Sequence, residues 1–555
     1  MDVGPSLERG CATERRFGKI LCMPGIESNA DAVVIGAGHN GLVAANLLAD
    51  AGWRVVVLEA APEPGGAVRS AQLTAPGYLS DVCSAFYPLG AASPVFKHLQ
   101  LEEHGLGWVH APDVLAHVLP DGRVATLSLD IRRTIASVGA FAAGDGARWL
   151  ASYTQWKAVS AKLLPALLSP FPPVRAGVSL YRSLRLGGAL RMARRFVLPA
   201  RTLGEELFRG EGARLLLAGC TLHTDLSTQD ATGGFYGWLL AMLGQEVGFP
   251  VPKGGAGKIT QALVARLRSR GGTVECRARA QHIEVSGGRA MAVTCVDGRR
   301  WAARRAVLAD VPAPTLYLDL IDRGHLPPRL LEDVEHFRWD GSTVKVDWAL
   351  SRPVPWSNPA AAGAGTVHLG ADMNGLIRYA ADLAVGEVPQ RPFLVAGQLT
   401  TSDPARSPAG TESLWAYTHL PHRRDWPKEV ILEHADRIQE TIERQAPGFT
   451  ESVVARHVTG PGDMEEENPS LVGGALGGGT SAAYQQLFLR PVPGLGRADT
   501  PVDRLYLASS SAHPGGGVHG APGANAARAA LARDRAATGW AYRAAINGAH
   551  RAIYR

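Results

Sequence analysis

The run Asp31-Ala-Val-Val-Ile-Gly36-Ala-Gly38-His39-Asn40-Gly41 limits what this chain can fold into more than any other segment. A short apolar stretch enters three glycines spaced G-x-G-x-x-G. Residues 42–50 follow with apolar positions at helical spacing, and Gly52 ends them. Arg54-Val-Val-Val-Leu-Glu59 is then a second apolar strand closing on an acid. Strand, helix, strand and terminal acid predict a βαβ unit that holds a dinucleotide. Gly36 permits the tight turn, Gly38 lets backbone approach a pyrophosphate, and Gly41 lets helix and strand pack closely. The helix start offers unpaired N–H groups and the positive end of its dipole to phosphate. Glu59 falls about 20 residues further on, where a carboxylate accepts from ribose hydroxyls. His39 and Asn40 sit inside the phosphate loop, His39 as a helix-start residue.

After Glu59 comes Ala60-Ala-Pro-Glu-Pro-Gly65-Gly66-Ala67-Val-Arg69-Ser70, a second glycine pair where backbone crowds the cofactor again. This arrangement resembles the glutathione-reductase-type FAD oxidoreductases, in the branch that holds phytoene desaturases and amine oxidases. Two later segments extend the resemblance. Val251-Pro-Lys-Gly254-Gly255 opens a helix over 259–267, followed by Gly271-Gly-Thr-Val-Glu, strands around Ala280 and 290–296, and Ala309-Asp310-Val-Pro312. Near the end, Ser509-Ser510-Ser-Ala-His513-Pro-Gly515-Gly516-Gly517-Val518-His519-Gly520 precedes an alanine-rich helix over 524–532. This last motif is similar to the C-terminal FAD motif of the phytoene-desaturase-like family, including its pyridine nucleotide-disulfide oxidoreductase domain 2 relatives. Segments 31–90, 246–315 and 500–535 carry the likeness, about a third of the chain.

The resemblance implies FAD as cofactor, held by Gly36, Gly38, His39, Asn40, Gly41, Glu59, Ala60, Gly65, Gly66, Ala67, Arg69, Ala280, Asp310, Gly516, Gly517, Val518 and His519. It places Ala280 against the adenine. It also implies that flavin accepts hydride while the protein supplies position and electrostatics. His513 and His519 flank the flavin motif and are the candidate bases for a companion proton. The chain departs from the family at Ser509-Ser510, where many members have Gly-Asp and so an acidic contact to the cofactor. It has no CxxxxC pair, which argues against dithiol chemistry.

The implied fold class is α/β: a Rossmann-like FAD domain carrying an inserted α+β substrate domain with an antiparallel sheet. The FAD domain is expected over 30–100, 246–315 and 496–540. A helical basic insertion is expected over 101–245, a substrate domain over 316–495, a loose extension over 1–29 and a tail over 541–555. Within the first insertion, residues 231–245 read as a buried helix. Residues 151–204 hold nine basic side chains and no acid, among leucines and prolines. Basic plus apolar on an interrupted helix suits peripheral contact with a membrane surface, or a solvated face. In the second insertion, strands are expected over 342–350, 391–400 and 413–420. A helix over 426–445 turns Val430, Ile431, Ala435, Ile438 and Ile442 inward.

No uncharged apolar run reaches the roughly 18 residues of a spanning helix. The six cysteines lack metal or CxxC spacing, so no metal site is expected and a reduced, cytoplasmic protein fits. The net charge of +6 is mild for 555 residues, and basic residues do not interleave with aromatics, which argues against nucleic acid. The functional reading is a FAD-dependent dehydrogenase or desaturase acting on a largely apolar small molecule such as a polyene, lipid or polyketide-like compound. A flavin-dependent isomerase or cyclase without net redox remains open. So does an amine oxidase, for which Tyr484 and Trp348 are the candidate aromatic cage.

Overall fold

The structure, a computed structural model, describes residues 26–554. Of the extension expected over 1–29, residues 1–25 lie outside the described residues. The first strand begins at Ile26 rather than Asp31.

Two seven-stranded sheets organise the molecule. In the first, strand Ile26–Ile35 lies between Val55–Leu58 and Arg300–Ala309, parallel to both. Thr273–Glu275 and Leu505–Leu507 extend the parallel set, and the hairpin Ala280–Ser286 and Arg289–Cys295 adds an antiparallel edge. The central strands are continuous apolar runs because both faces are covered. Helices His39–Asp50, Gly257–Ser269 and Ala521–Asp534 pack one face through Leu42, Leu263 and Ala527. Ile283, Trp301 and Tyr317 pack the other. Helix Ala521–Asp534 is alanine-rich because it must lie almost in contact with helix His39–Asp50. A Cβ on Gly523 would sit 1.9 Å from the Asn40 carbonyl oxygen.

The second sheet runs Val453–Thr459, Ser342–Leu350, Glu412–Leu420, Leu394–Gln398, Ala364–Leu369, Asp113–Val118, Val124–Leu127. The strands expected in the second insertion are present. The first insertion is not wholly helical, however: Asp113–Val118 and Val124–Leu127 leave it to join this sheet. Their alternation is masked because Asp113–Val118 is buried on both faces. The sheet is also not purely antiparallel, since Asp113–Val118 pairs parallel to Ala364–Leu369. Helix Lys428–Gln445 covers it with Ile431, Ala435, Ile438 and Ile442. Val430 is only half-buried.

The remainder of the first insertion is helical. Helix Gly233–Val247 is buried along most of its length, and Asp145–Leu168 buries Trp149 and Trp156 against it. Helix Val174–Val197 has no buried residue. The tail expected over 541–555 is instead helix Gly539–Ile553, and buried Tyr554 donates to the Pro493 carbonyl at 2.7 Å.

Two helical glycines give opposite predictions. Gly523→Ala forces helix Ala521–Asp534 off Asn40 and is expected to cost about 2–3 kcal/mol, the usual size of overpacking. Gly548→Ala meets nothing within 4 Å and is expected to be neutral or to stabilise by about 0.5–1 kcal/mol. Thermal denaturation of the two variants checks this.

Candidate active site

Strand Ile26–Ile35 ends in Gly36, whose φ of +92° favours glycine. A Cβ on Gly36 or Gly38 would come within 2.7 Å of Asp310, and one on Gly41 would be 2.1 Å from the Gly36 oxygen. The glycines are thus demanded by Asp310 and by the turn itself. Asp310 Oδ2 accepts from the Gly41 N–H at 2.8 Å. Burial, with the Glu59 charge, pushes its carboxyl up to about 7 against that hydrogen bond. Glu59 is fixed from both sides, Oε2 accepting from Ala37 N and Oε1 from Ala61 N, each at 2.8 Å.

These residues open on one cavity of about 830 Å³. Gly36, Gly38, His39, Asn40, Glu59, Ala60, Gly66, Ala67, Ala280, Asp310, Gly516, Gly517, Val518 and His519 line it, as does His513. Chain segments hundreds of residues apart therefore share one wall. Three expected contacts do not reach it. Gly41 lies behind the turn. Gly65 bridges to Gly38 and donates to the Ala37 oxygen at 2.9 Å. Arg69 donates to the Gly66 oxygen at 3.0 Å and pairs with Glu467. These three shape the loop rather than the surface.

The phosphate end fits a dinucleotide. His39 Nε2 and Asn40 Oδ1 are buried there without any protein partner. Burial holds the His39 imidazole down at about 4, so it is neutral. An unsatisfied buried donor or acceptor costs about 1–3 kcal/mol, and two at a helix start facing a cavity mark a ligand position.

The candidate bases differ from each other. His519 Nδ1 accepts from the Ala521 N–H at 3.1 Å, and a backbone hydrogen bond with Gly516 engages the same ring. With the Nδ1 lone pair taken, the neutral ring carries its proton on Nε2 and offers no basic nitrogen, so His519 orders the glycine loop and is not a base. His513 shares a 3.0 Å hydrogen bond between Nε2 and the Ser169 oxygen, and its Nδ1 has no partner. Burial lowers it to about 4. The aromatic cage candidates are displaced. Trp348 is buried in the sheet core and donates to Gln439, and Tyr484 is exposed outside the cavity.

Sequence reasoning missed the residues that hold the glycine-rich loop over 476–480. Asp340 accepts N–H groups from Leu476, Gly477 and Gly479 at 2.6–3.2 Å. Fully buried Arg490 donates to the carbonyls of Gly477, Gly478, Gly479 and Thr480 and to Ser510. One side chain thereby staples the substrate-domain loop to the C-terminal motif. Asp225, at φ 63°, takes Ser481 N–H and Thr480 Oγ1–H and lines the cavity beside Asp340. No local pattern marks these residues, because their partners are remote in sequence.

The far end of the cavity is apolar, walled by Leu164, Leu168, Phe196, Phe235 and Leu240 among others. A dinucleotide cradle that opens directly into an oily chamber defines a flavin-dependent oxidoreductase. Residues 41–531 match the family described as flavin containing amine oxidoreductase, and the chain belongs to that family. FAD is its cofactor. A pyridine nucleotide-disulfide oxidoreductase domain-containing protein 2 of Mus musculus is 28% identical, over 90% of this chain and 92% of its own. A hydroxyneurosporene desaturase of Cereibacter sphaeroides is also 28% identical, over 90% and 97%. Among solved structures, an oxidoreductase from Methanosarcina mazei superposes with a TM-score of 0.61 at 15% identity, covering 90% of this chain and 99% of that one. Cyclohexylamine oxidase from Brevibacterium oxydans does so at 0.54 and 15%, covering 95% and 100%.

Burial, with Asp340 beside it, pushes the Asp225 carboxyl from 3.8 up to about 8. The folded chain therefore keeps a proton there that the unfolded chain loses above about pH 4, and stability falls as pH rises through that window. Asp225→Asn removes this dependence. Its melting temperature is expected to gain on wild type from about pH 5 to about pH 8 and then level off. A difference independent of pH would contradict the assignment.

Proposed function

We propose that this protein is a dehydrogenase of the desaturase type, removing two hydrogens from a largely apolar small molecule such as a polyene, lipid or polyketide-like compound. One observation carries the reading: the cofactor cradle and the apolar chamber are a single cavity, so an oily substrate lies beside the cofactor without crossing water. Two relatives support it by name, the hydroxyneurosporene desaturase and a phytoene desaturase of the same bacterium, 24% identical over 92% of this chain. Bound FAD supplies the two-electron acceptor. The chain's own part is to exclude water, to align the substrate along the apolar wall, and to take the companion proton. His513 Nδ1 is the acceptor among the sequence candidates. A weak base suffices, because a C–H bond beside a carbon losing hydride is strongly acidified.

Helices Asp145–Leu168 and Val174–Val197, beside the chamber, support a membrane-surface reading. Helix Val174–Val197 exposes Val174, Val178, Tyr181, Leu186 and Leu190 beside Arg175, Arg182, Arg185 and Arg191. The same helical pair sends Leu164, Leu167, Leu168 and Phe196 into the cavity wall. Not all of the basic stretch is available, since Arg194 and Arg201 pair with Glu206 and Glu205 and Arg195 lies over Trp238. Among the described residues no helix is long and apolar enough to cross a membrane. We place the protein in the cytoplasm, visiting a bilayer through this face.

The protein is expected to purify yellow, and a polyene substrate is expected to bleach it anaerobically; a colourless protein that stays so with excess FAD overturns the reading. Glu59→Ala, which frees the Ala37 and Ala61 N–H groups, is expected to lose most of the bound flavin. In flotation assays, binding to vesicles should require phosphatidylserine. Arg182→Glu with Arg191→Glu should abolish it, at about 1 kcal/mol per charge removed. Equal binding to neutral vesicles would remove the electrostatic part of the proposal.

A further inference from the structure

The chamber is not uniformly apolar. Tyr236, Tyr417 and His223 are among the residues that line it. Neither tyrosine hydroxyl has a hydrogen-bond partner among the described residues, and neither is sealed from the cavity. His223 is held from behind: its Nε2 lies 2.7 Å from Nε2 of His368, itself fully buried and packed against Gly219 and Phe393. That contact fixes the His223 ring and leaves Nδ1 for the cavity. The groups are neighbours. The Tyr417 ring centroid is 5.5 Å from that of His419, and His419 is near enough to His223 to lower its proton affinity. Tyr236 lies near the Asp225 carboxyl, two residues beyond His223.

Burial holds His223 down at about 4 and Tyr236 up at about 12, and raises Tyr417 as well. At neutral pH the three therefore act as uncharged hydrogen-bonding groups. Hydrocarbon packing has no use for such groups, and each left unmatched against an oily ligand is penalised. A cation would find no counter-charge in them; of the carboxyls on the same wall, Asp225 keeps its proton at neutral pH and Asp340 is taken up by the N–H groups of Leu476, Gly477 and Gly479. They suit a neutral oxygen atom.

We propose that His223, Tyr236 and Tyr417 form a recognition site for a hydroxyl or carbonyl oxygen carried by an otherwise apolar substrate. This deepens the desaturase reading and rests on the chamber being the substrate site. The substrate class becomes an oxygenated lipid or polyene rather than a pure hydrocarbon or an amine. His223 touches the substrate oxygen directly, while His368 positions it.

Three matched probes test this on the full-length holoprotein: parinaryl alcohol, parinaryl amine, and the tetraene hydrocarbon with a terminal methyl in place of the hydroxymethyl. Energy transfer from tryptophan to the tetraene reads binding without turnover, while flavin colour and its anaerobic bleaching report separately on the redox reading. The alcohol is expected to bind on the order of tenfold tighter than the hydrocarbon, the factor that one or two neutral hydrogen bonds supply, with the amine weakest. Tyr236→Phe and His223→Gln should each lower alcohol affinity several-fold and leave hydrocarbon affinity unchanged, so a folding defect, which weakens all probes, is told apart. Equal affinity for alcohol and hydrocarbon, tightest binding of the amine, no energy transfer with any probe, or variants that weaken all three alike would each overturn the proposal. A yellow, bleachable protein with any of those results keeps the redox reading and loses this one.

Discussion

The carboxyl of Asp310 is the point on which the rest of the molecule closes. Asp310 follows the end of strand Arg300–Ala309; its carbonyl oxygen fills the space a side chain at position 36 would need, its carboxyl the space at 38, and its side chain together with the Gly36 oxygen the space at 41. Gly41 donates to the carboxyl, and Asn40 in the same turn receives Gly523 from the C-terminal helix at a distance no side chain would permit. Three segments separated by hundreds of residues are thereby held within one van der Waals layer. Asp310 takes the Gly41 N–H, and the two residues before it, His39 and Asn40, start helix His39–Asp50 on the cavity wall. The ability to hold a dinucleotide follows from how tightly the parts meet.

What could be read in the sequence was what is local. Gly36, Gly38 and Gly41 report a turn, Glu59 reports a strand end, and Ser342–Leu350 announces itself by alternation, so these emerge without a structure. Ala280, Gly516 and Val518 came instead from likeness to a family whose order of segments is fixed. What stayed hidden is held by distance in sequence. Arg490 binds carbonyls 10–20 residues away in chain order and across two domains, and its neighbours Leu489 and Pro491 suggest nothing of this. Strand Asp113–Val118 gave no alternation because it is buried on both faces in mid-sheet. His519 looked catalytic because histidines beside a flavin motif usually invite that reading. Only the Ala521 N–H shows its ring to be occupied.

The loop over 476–480 shows how a glycine-rich segment is made rigid at a reactive site. Its amides are taken by Asp340 and its carbonyls by Arg490, so both sides of the backbone are engaged by fully buried charge. Charged hydrogen bonds of this kind are about twice as strong as neutral ones. Where the resemblance leads one to expect an acid, this chain has Ser509-Ser510, and carboxyls border the cavity from elsewhere, Asp340 among them.

The splicing of the second sheet has a consequence for how this protein can change. Its strand order draws on residues from 113 to 459, while the first sheet draws on residues from 26 to 507. Neither half is a contiguous cassette, and a parallel pairing across about 250 residues is a non-local contact of the kind that slows folding. Substrate preference in such a molecule cannot drift by exchanging a module. It must shift one wall residue at a time, inside a scaffold whose two halves are threaded through each other.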